Sequence, residues 1–167
     1  LAYYIAAVNI ETTYQDLRTG LLEVEGAEYE PFPGLILTDT FQSWENDDRP
    51  DFHVFSDNNE RLERLKALDI QVIVGNPPYS VGQESANDDN ANTVYSDLDE
   101  AIRASYGRRA AKSSIRGLYD SYIRAIKWAS LRLESRGVIA FVTNGGWLKN
   151  SSGDGMRLAL ADAQVAA

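Results

Sequence analysis

The sequence has no cysteine and a single histidine among its 167 residues. Without cysteine there are no disulfides and no thiolate metal sites. His53 has no second histidine with which to share a zinc ion. The acidic pairs Asp47-Asp48 and Asp88-Asp89 have no identifiable partner ligands, and solvation of polar loops accounts for them. No metal is expected. Long apolar runs are also missing. The stretch from Leu1 to Val8 is too short to span a bilayer and lacks the basic flank and cleavage pattern of a signal peptide. A cytoplasmic protein without a membrane segment is expected.

Positive charge is scarce in one part of the chain. Residues 1–60 carry 2 basic and 13 acidic side chains, and the whole chain has a net charge of −9. That balance argues against a nucleic-acid binder. The rest of the chain reverses it, because residues 103–136 carry 9 basic and 2 acidic side chains. One basic face is therefore still available. Within it, Arg103, Arg108, Arg109, Lys112 and Arg116 are candidates for contacts to DNA phosphates, against the alternative of a solvated helix face.

The length fits one domain with a sizeable core. The chain starts without methionine inside a helix-like run and ends in alanine-rich sequence, so a fragment cut at both ends is expected. Helical spacing predicts a first helix over residues 1–18, on Tyr4, Ile5, Val8 and Leu17. Leu35-Ile36-Leu37-Thr38 is expected as a buried strand ending at Asp39. A short helix is expected from Asn59 to Leu68, capped by Asp57 or Asn58. The β-branched run Ile70 to Gly75 predicts a central parallel strand covered on both faces. Residues 80–97 are expected as a polar loop, and Leu98 to Lys112 as a helix capped by Asp97. Gly117 to Arg136 has the clearest helical period, on Leu118, Tyr122, Ile126, Ala129 and Leu133. Val138 to Thr143 is expected as a second buried strand, and a last helix near Asp154. Strand, long helical connection and strand make a βαβ unit, and so an α/β fold with a mainly parallel sheet and flanking helices. Ligands of such sheets bind beyond the carboxyl ends of the strands. Asp39, Asn76 and Asn144 all fall at expected strand ends.

The run Asn76-Pro77-Pro78-Tyr79 directly follows the first of those strands. Methylation of an exocyclic base amine is a chemistry it suits. The nitrogen lone pair is delocalised into the ring, so the amine is a poor nucleophile. Two acceptors aimed at its N–H bonds draw it toward tetrahedral geometry. The Asn76 carboxamide oxygen and the Pro77 carbonyl provide such acceptors. Paired prolines restrict the backbone and preorganise both. Tyr79 offers a flat face for the base and a ring that favours the passing positive charge. A tetrad of this kind arises by chance in about one chain per thousand of this length. The alternative is a rigid turn after a strand.

The tetrad resembles the (D/N/S)PP(Y/F) signature of Rossmann-like amino-methyltransferases. A longer resemblance runs through Val74 to Gln83, Leu118 to Ala129 and Gly137 to Leu148, joined by Leu1 to Ala7 and Leu37 to Gln42. These segments resemble the methyltransferase region of Type ISP restriction-modification enzymes. The resemblance implies an S-adenosylmethionine-dependent N6-adenine DNA methyltransferase acting on double-stranded DNA with a flipped adenine. It implies flanking nuclease, helicase-like and target-recognition domains in the same polypeptide. It gives Asp39 the role of accepting from the cofactor adenine amine, with Thr40 and Phe41 lining that pocket. Asn76, Pro77, Pro78 and Tyr79 take the target base, and Asn144 to Trp147 shape the rim. The family's glycine-rich cofactor loop and its target-recognition domain have no counterpart in residues 1–167, which therefore read as a partial methyltransferase domain, inactive when isolated. RNA-base or protein-glutamine methyl transfer, and a non-catalytic methyltransferase-like interaction module, are the other readings.

Overall fold

The computed structural model describes residues 2–21, 29–48, 56–78, 94–110, 117–133 and 136–165, and structural statements refer to these. They form two compact units. The first combines Leu1–Thr38 with Arg49–Leu68, and the second combines Asp39–Asp48 with Asp69–Ala167.

In the first unit, helix α1 covers Ala2–Leu21, as its apolar spacing predicts. Glu11 accepts from the Phe32 amide at 2.9 and 3.0 Å, and the Tyr14 ring meets Phe32 edge-on at 5.2 Å. These contacts fold the segment after α1 back onto it. Helix α2 covers Ser56–Lys66, so Asp57 and Asn58 lie inside its first turn and do not precede it as caps. Asn58 has a different task. Its carboxamide accepts from the Leu37 amide at 2.7 Å and donates to the Leu37 carbonyl at 2.8 Å. Arg61 donates to the Leu35 carbonyl at 3.4 Å. The segment Leu35 to Thr38 is consequently not a ladder-bonded strand, and Leu37 is 53% exposed. Side chains of α2 occupy backbone groups that a neighbouring strand would otherwise pair.

The second unit contains the sheet. Strand β1 (Val72–Gly75) pairs in parallel with β2 (Val138–Phe141), with Val72 opposite Val138 and Gly75 opposite Phe141. The pairing bears out the βαβ expectation. The connection includes α3 (Ser96–Ile102), a π-helical turn (Arg103–Gly107) and α4 (Ser121–Arg132). After β2 come a short α5 (Gly146–Lys149) and α6 (Asp154–Val165). The result is a helix-rich α/β arrangement with a two-stranded parallel sheet among the described residues.

The strands are not covered on both faces as their sequences predict. Val72 is 61% exposed, Val74 75% and Val138 59%, whereas Ile73, Ile139 and Phe141 are half-buried. Their apolar composition goes further than the packing within this chain requires. The core lies on the helices instead. Leu98 and Ile102 of α3, Tyr106 of the π turn, Tyr122, Ile123 and Ile126 of α4, and Met156 of α6 form one cluster with Tyr95 and Leu118. Helix α4 is shorter than the expected span, with Asp120 as its N-cap and residues 117–119 in a separate 3-10 turn. Helix α6 approaches the π turn closely at Gly155, where a Cβ would collide with the Tyr106 carbonyl oxygen.

Leu98 has no exposed surface. Leu98→Ala is expected to lower unfolding stability by about 2–5 kcal/mol, through lost burial and a residual cavity. Denaturant titration with an unchanged slope would register that loss.

Candidate active site

The site is built at the carboxyl end of the sheet. The Val142 amide donates to the Gly75 carbonyl at 3.0 Å, which carries the parallel ladder to the last residue of β1. Asn76, Pro77 and Pro78 come next, with Asn76 and Pro78 exposed and Pro77 half-buried. Tyr79 lies outside the described residues. Gly75 packs closely against Phe141, because a Cβ there would stand 3.3 Å from that ring. The exit of β2 lies on the same side. Asn144 Oδ1 accepts from the Gly146 amide at 2.9 Å and shapes the turn into α5. The Tyr122 hydroxyl lies 3.9 Å from where a Gly146 Cβ would stand, bringing the start of α4 to this rim. Burial, and then the Asp120 carboxylate, raise the Tyr122 pKa above the usual phenol value.

Asp39 opens the short segment that belongs to this unit. Its Oδ1 accepts from the amides of Phe41 and Gln42 at 3.0 and 3.2 Å, and its carbonyl accepts from Ser43 at 3.0 Å. This Asx-type turn starts the 3-10 helix Gln42–Trp44. Asp39 and Thr40 are exposed, and Phe41 is half-buried. Asp39 Oδ2 accepts from the Tyr95 hydroxyl at 2.9 Å.

A reciprocal clasp fixes that segment to α3. The Glu45 carboxylate, 6% exposed, accepts from the amides of Asp97 and Leu98 at 2.7 and 3.0 Å. It satisfies donors that the first turn of a helix leaves open, and it complements the helix dipole. Asp97 in turn accepts from the Asn46 amide and carboxamide, both at 2.8 Å. Asp97 therefore does not act as the expected cap of its own helix, because Glu45 does that from a distant segment. Behind this clasp, Arg124 of α4 makes two hydrogen bonds to Asp99, both 2.8 Å. Its guanidinium lies over the rings of Tyr95 and Tyr119, at 5.3 and 6.0 Å.

Sequence reasoning missed Glu45, Tyr95, Asp99 and Arg124. Arg124 alone carried a signal, as one cation between Ile123 and Ala125 in an otherwise apolar stretch of helix. Of the basic candidates, Arg108 is exposed. Arg109 donates to the Leu158 carbonyl at 3.0 Å and pairs with Asp162, so it ties the residues just after the π turn to α6. Lys112 and Arg116 lie outside the described residues, as does His53. The described residues contain no group of three or more acidic or histidine side chains placed to hold a metal ion. None of their helices is long and apolar enough to cross a membrane.

Parallel strands with an Asn-Pro-Pro run at the carboxyl end of one and an acid-led aromatic turn in the same unit define a helix-rich α/β unit with a candidate ligand site. A family model narrows the class. The Eco57I restriction-modification methylase model matches residues 11–165, and the chain belongs to that family. Among the solved structures similar to it are three DNA complexes. A nuclease-deletion mutant of the Type ISP restriction-modification enzyme LlaGI, in complex with a DNA substrate mimic, is 44% identical, with a TM-score of 0.84 over 96% of this chain and 13% of that one. The ATP-dependent Type ISP restriction-modification enzyme LlaBIII, bound to DNA, is 40% identical, with a TM-score of 0.82 over 95% of this chain and 10% of that one. A DrdV–DNA complex solved by cryo-electron microscopy is 35% identical, with a TM-score of 0.78 over 96% and 15%. The chain thus spans a small part of each. The resemblance to Type ISP restriction-modification enzymes read from the sequence is borne out. No curated protein matches the chain.

In the Asp99–Arg124 pair Arg124 is buried and Asp99 half-buried, with side chains 9% and 19% exposed, whereas Glu60–Arg64 is a surface pair at 61% and 70%. Asp99→Ala leaves a buried cation uncompensated and is expected to cost about 3–5 kcal/mol. Glu60→Ala is expected to cost at most about 1 kcal/mol. Paired denaturant curves would check the contrast.

Proposed function

We propose that this chain is part of a Rossmann-like N6-adenine DNA methyltransferase domain within a longer restriction-modification polypeptide. The observation that carries the reading is Asn76-Pro77-Pro78 placed directly after a parallel strand, in a chain of the restriction-modification methylase family. In this reading residues 1–167 are a partial domain. The glycine-rich cofactor loop, the target-recognition domain, and nuclease and helicase domains belong to other parts of the same polypeptide. The DNA complexes of the similar enzymes support DNA as the partner, and a flipped adenine calls for a duplex.

S-adenosylmethionine supplies an electrophilic methyl group on a sulfonium centre. The residues present suit its adenine end. Asp39 is an exposed acceptor for an exocyclic amine, and the half-buried Phe41 ring stands two residues on in the same turn. Thr40 lines the same pocket. The chain's own residues then act on the target base. Asn76 Oδ1 accepts one N–H of the adenine N6 amine, and the Pro77 carbonyl accepts the other. The two acceptors localise the lone pair on nitrogen, so no side chain has to remove a proton before attack. Pro77 and Pro78 hold the loop rigid, which keeps the acceptors fixed as charge develops on nitrogen. Tyr79 stacks on the flipped base. Arg108, Arg109, Lys112 and Arg116 are the proposed phosphate contacts, with Arg108 the best presented of the two that are described.

In the full-length protein, Asn76→Ala is expected to lower methyl transfer to DNA by about 100-fold or more. Its fold and cofactor affinity should stay intact. Adenine methylation at the parental rate in that variant would overturn the assignment.

A further inference from the structure

Tyr95 stands where the connection from Asn76-Pro77-Pro78-Tyr79 enters α3, and it is 3% exposed. Its ring is confined from several sides. Phe41 meets it edge-on at 5.2 Å, and the Arg124 guanidinium lies 5.3 Å from its centre. Arg124 is itself fixed by two hydrogen bonds to Asp99. The Tyr95 backbone carbonyl accepts from the Asp99 amide at 2.8 Å. A phenol ring held in this way delivers its hydroxyl to one point, and that point is Asp39 Oδ2 at 2.9 Å. The other carboxylate oxygen takes the Phe41 and Gln42 amides. The terminal torsion of an aspartate is normally broad. Here both of its oxygens are engaged, so the carboxylate plane is set before any ligand arrives. An oxygen of a carboxylate accepts more than one hydrogen bond, so this grip is compatible with a further donor.

We infer that Tyr95 is a positioning residue for the cofactor site. Its hydroxyl orients the Asp39 carboxylate toward the adenine amine and links that acid to the segment returning from the target-base loop. The inference rests on the proposed role of Asp39 in holding the cofactor adenine. A preoriented acceptor loses less freedom on binding, so the hydroxyl acts on affinity and leaves the chemical step alone.

The test uses the full-length polypeptide and S-adenosylhomocysteine binding followed by calorimetry, alongside methyl-transfer kinetics. Tyr95→Phe keeps the ring and removes only the hydroxyl. It should weaken S-adenosylhomocysteine binding about 5–10-fold and raise KM for S-adenosylmethionine equally. The rate constant kcat and DNA affinity should stay within about twofold of the parent, since Tyr95 is buried and its hydroxyl donates to Asp39. Asp39→Ala should weaken binding more, and adding Tyr95→Phe to it should change nothing further. Parental affinity in Tyr95→Phe, or additive losses in the double variant, would overturn the inference while leaving the role of Asp39 intact. Unaltered affinity in Asp39→Ala would instead remove the role of Asp39, and the inference with it. If Tyr95→Phe does not fold, Arg124→Lys carries the test, because it loosens the plate behind the ring and leaves the hydroxyl in place. Weaker cofactor binding at an unchanged kcat supports the role, and parental binding overturns it.

Discussion

Parallel pairing constrains most of what surrounds it. Strands β1 and β2 point the same way, so the chain leaving Gly75 has to travel back along the sheet before it can enter Val138. That return occupies residues 76–137, and its helices supply most of the buried core. The same constraint puts both strand exits at one edge. Asn76 and Asn144 share that edge because the register aligns Gly75 with Phe141. An antiparallel pair would have sent them to opposite ends.

The second organising interaction is the clasp between residues 39–48 and α3. Glu45 satisfies the helix start, Asp97 answers on Asn46, and Tyr95 reaches Asp39. Arg124 backs this arrangement from α4. The helices that return the chain across the sheet therefore also fix the acid proposed to hold the cofactor. A perturbation in α4 has a physical route to Asp39 through Arg124 and Tyr95, each step a packed or hydrogen-bonded contact.

Much of this was legible in the sequence, for identifiable reasons. The β-branched runs before Asn76 and Asn144 gave both strands, and the period of Leu118, Tyr122, Ile126 and Ala129 gave α4. Local chemistry was enough there. It failed where a partner lay far along the chain. Leu35 to Thr38 has strand composition, yet α2 side chains take its backbone groups. Asp97 has cap chemistry, yet Glu45, 52 residues away, does the capping. The valines of β1 read as covered on both faces, but Val72 and Val74 are exposed. In the candidate site the Asn-Pro-Pro run was visible because its chemistry is contiguous. The Tyr95–Asp39 bond spans 56 residues and left no trace in either local sequence.

Nucleoside analysis of DNA methylated by the full-length polypeptide tests the proposed chemistry most directly. Incubation with methyl-labelled S-adenosylmethionine, digestion and chromatography with mass detection would identify the modified base. The label should be found in N6-methyladenine, because the Asn76 and Pro77 acceptors are suited to an exocyclic amine. Label in another base, or in RNA or protein with none in DNA adenine, would contradict it.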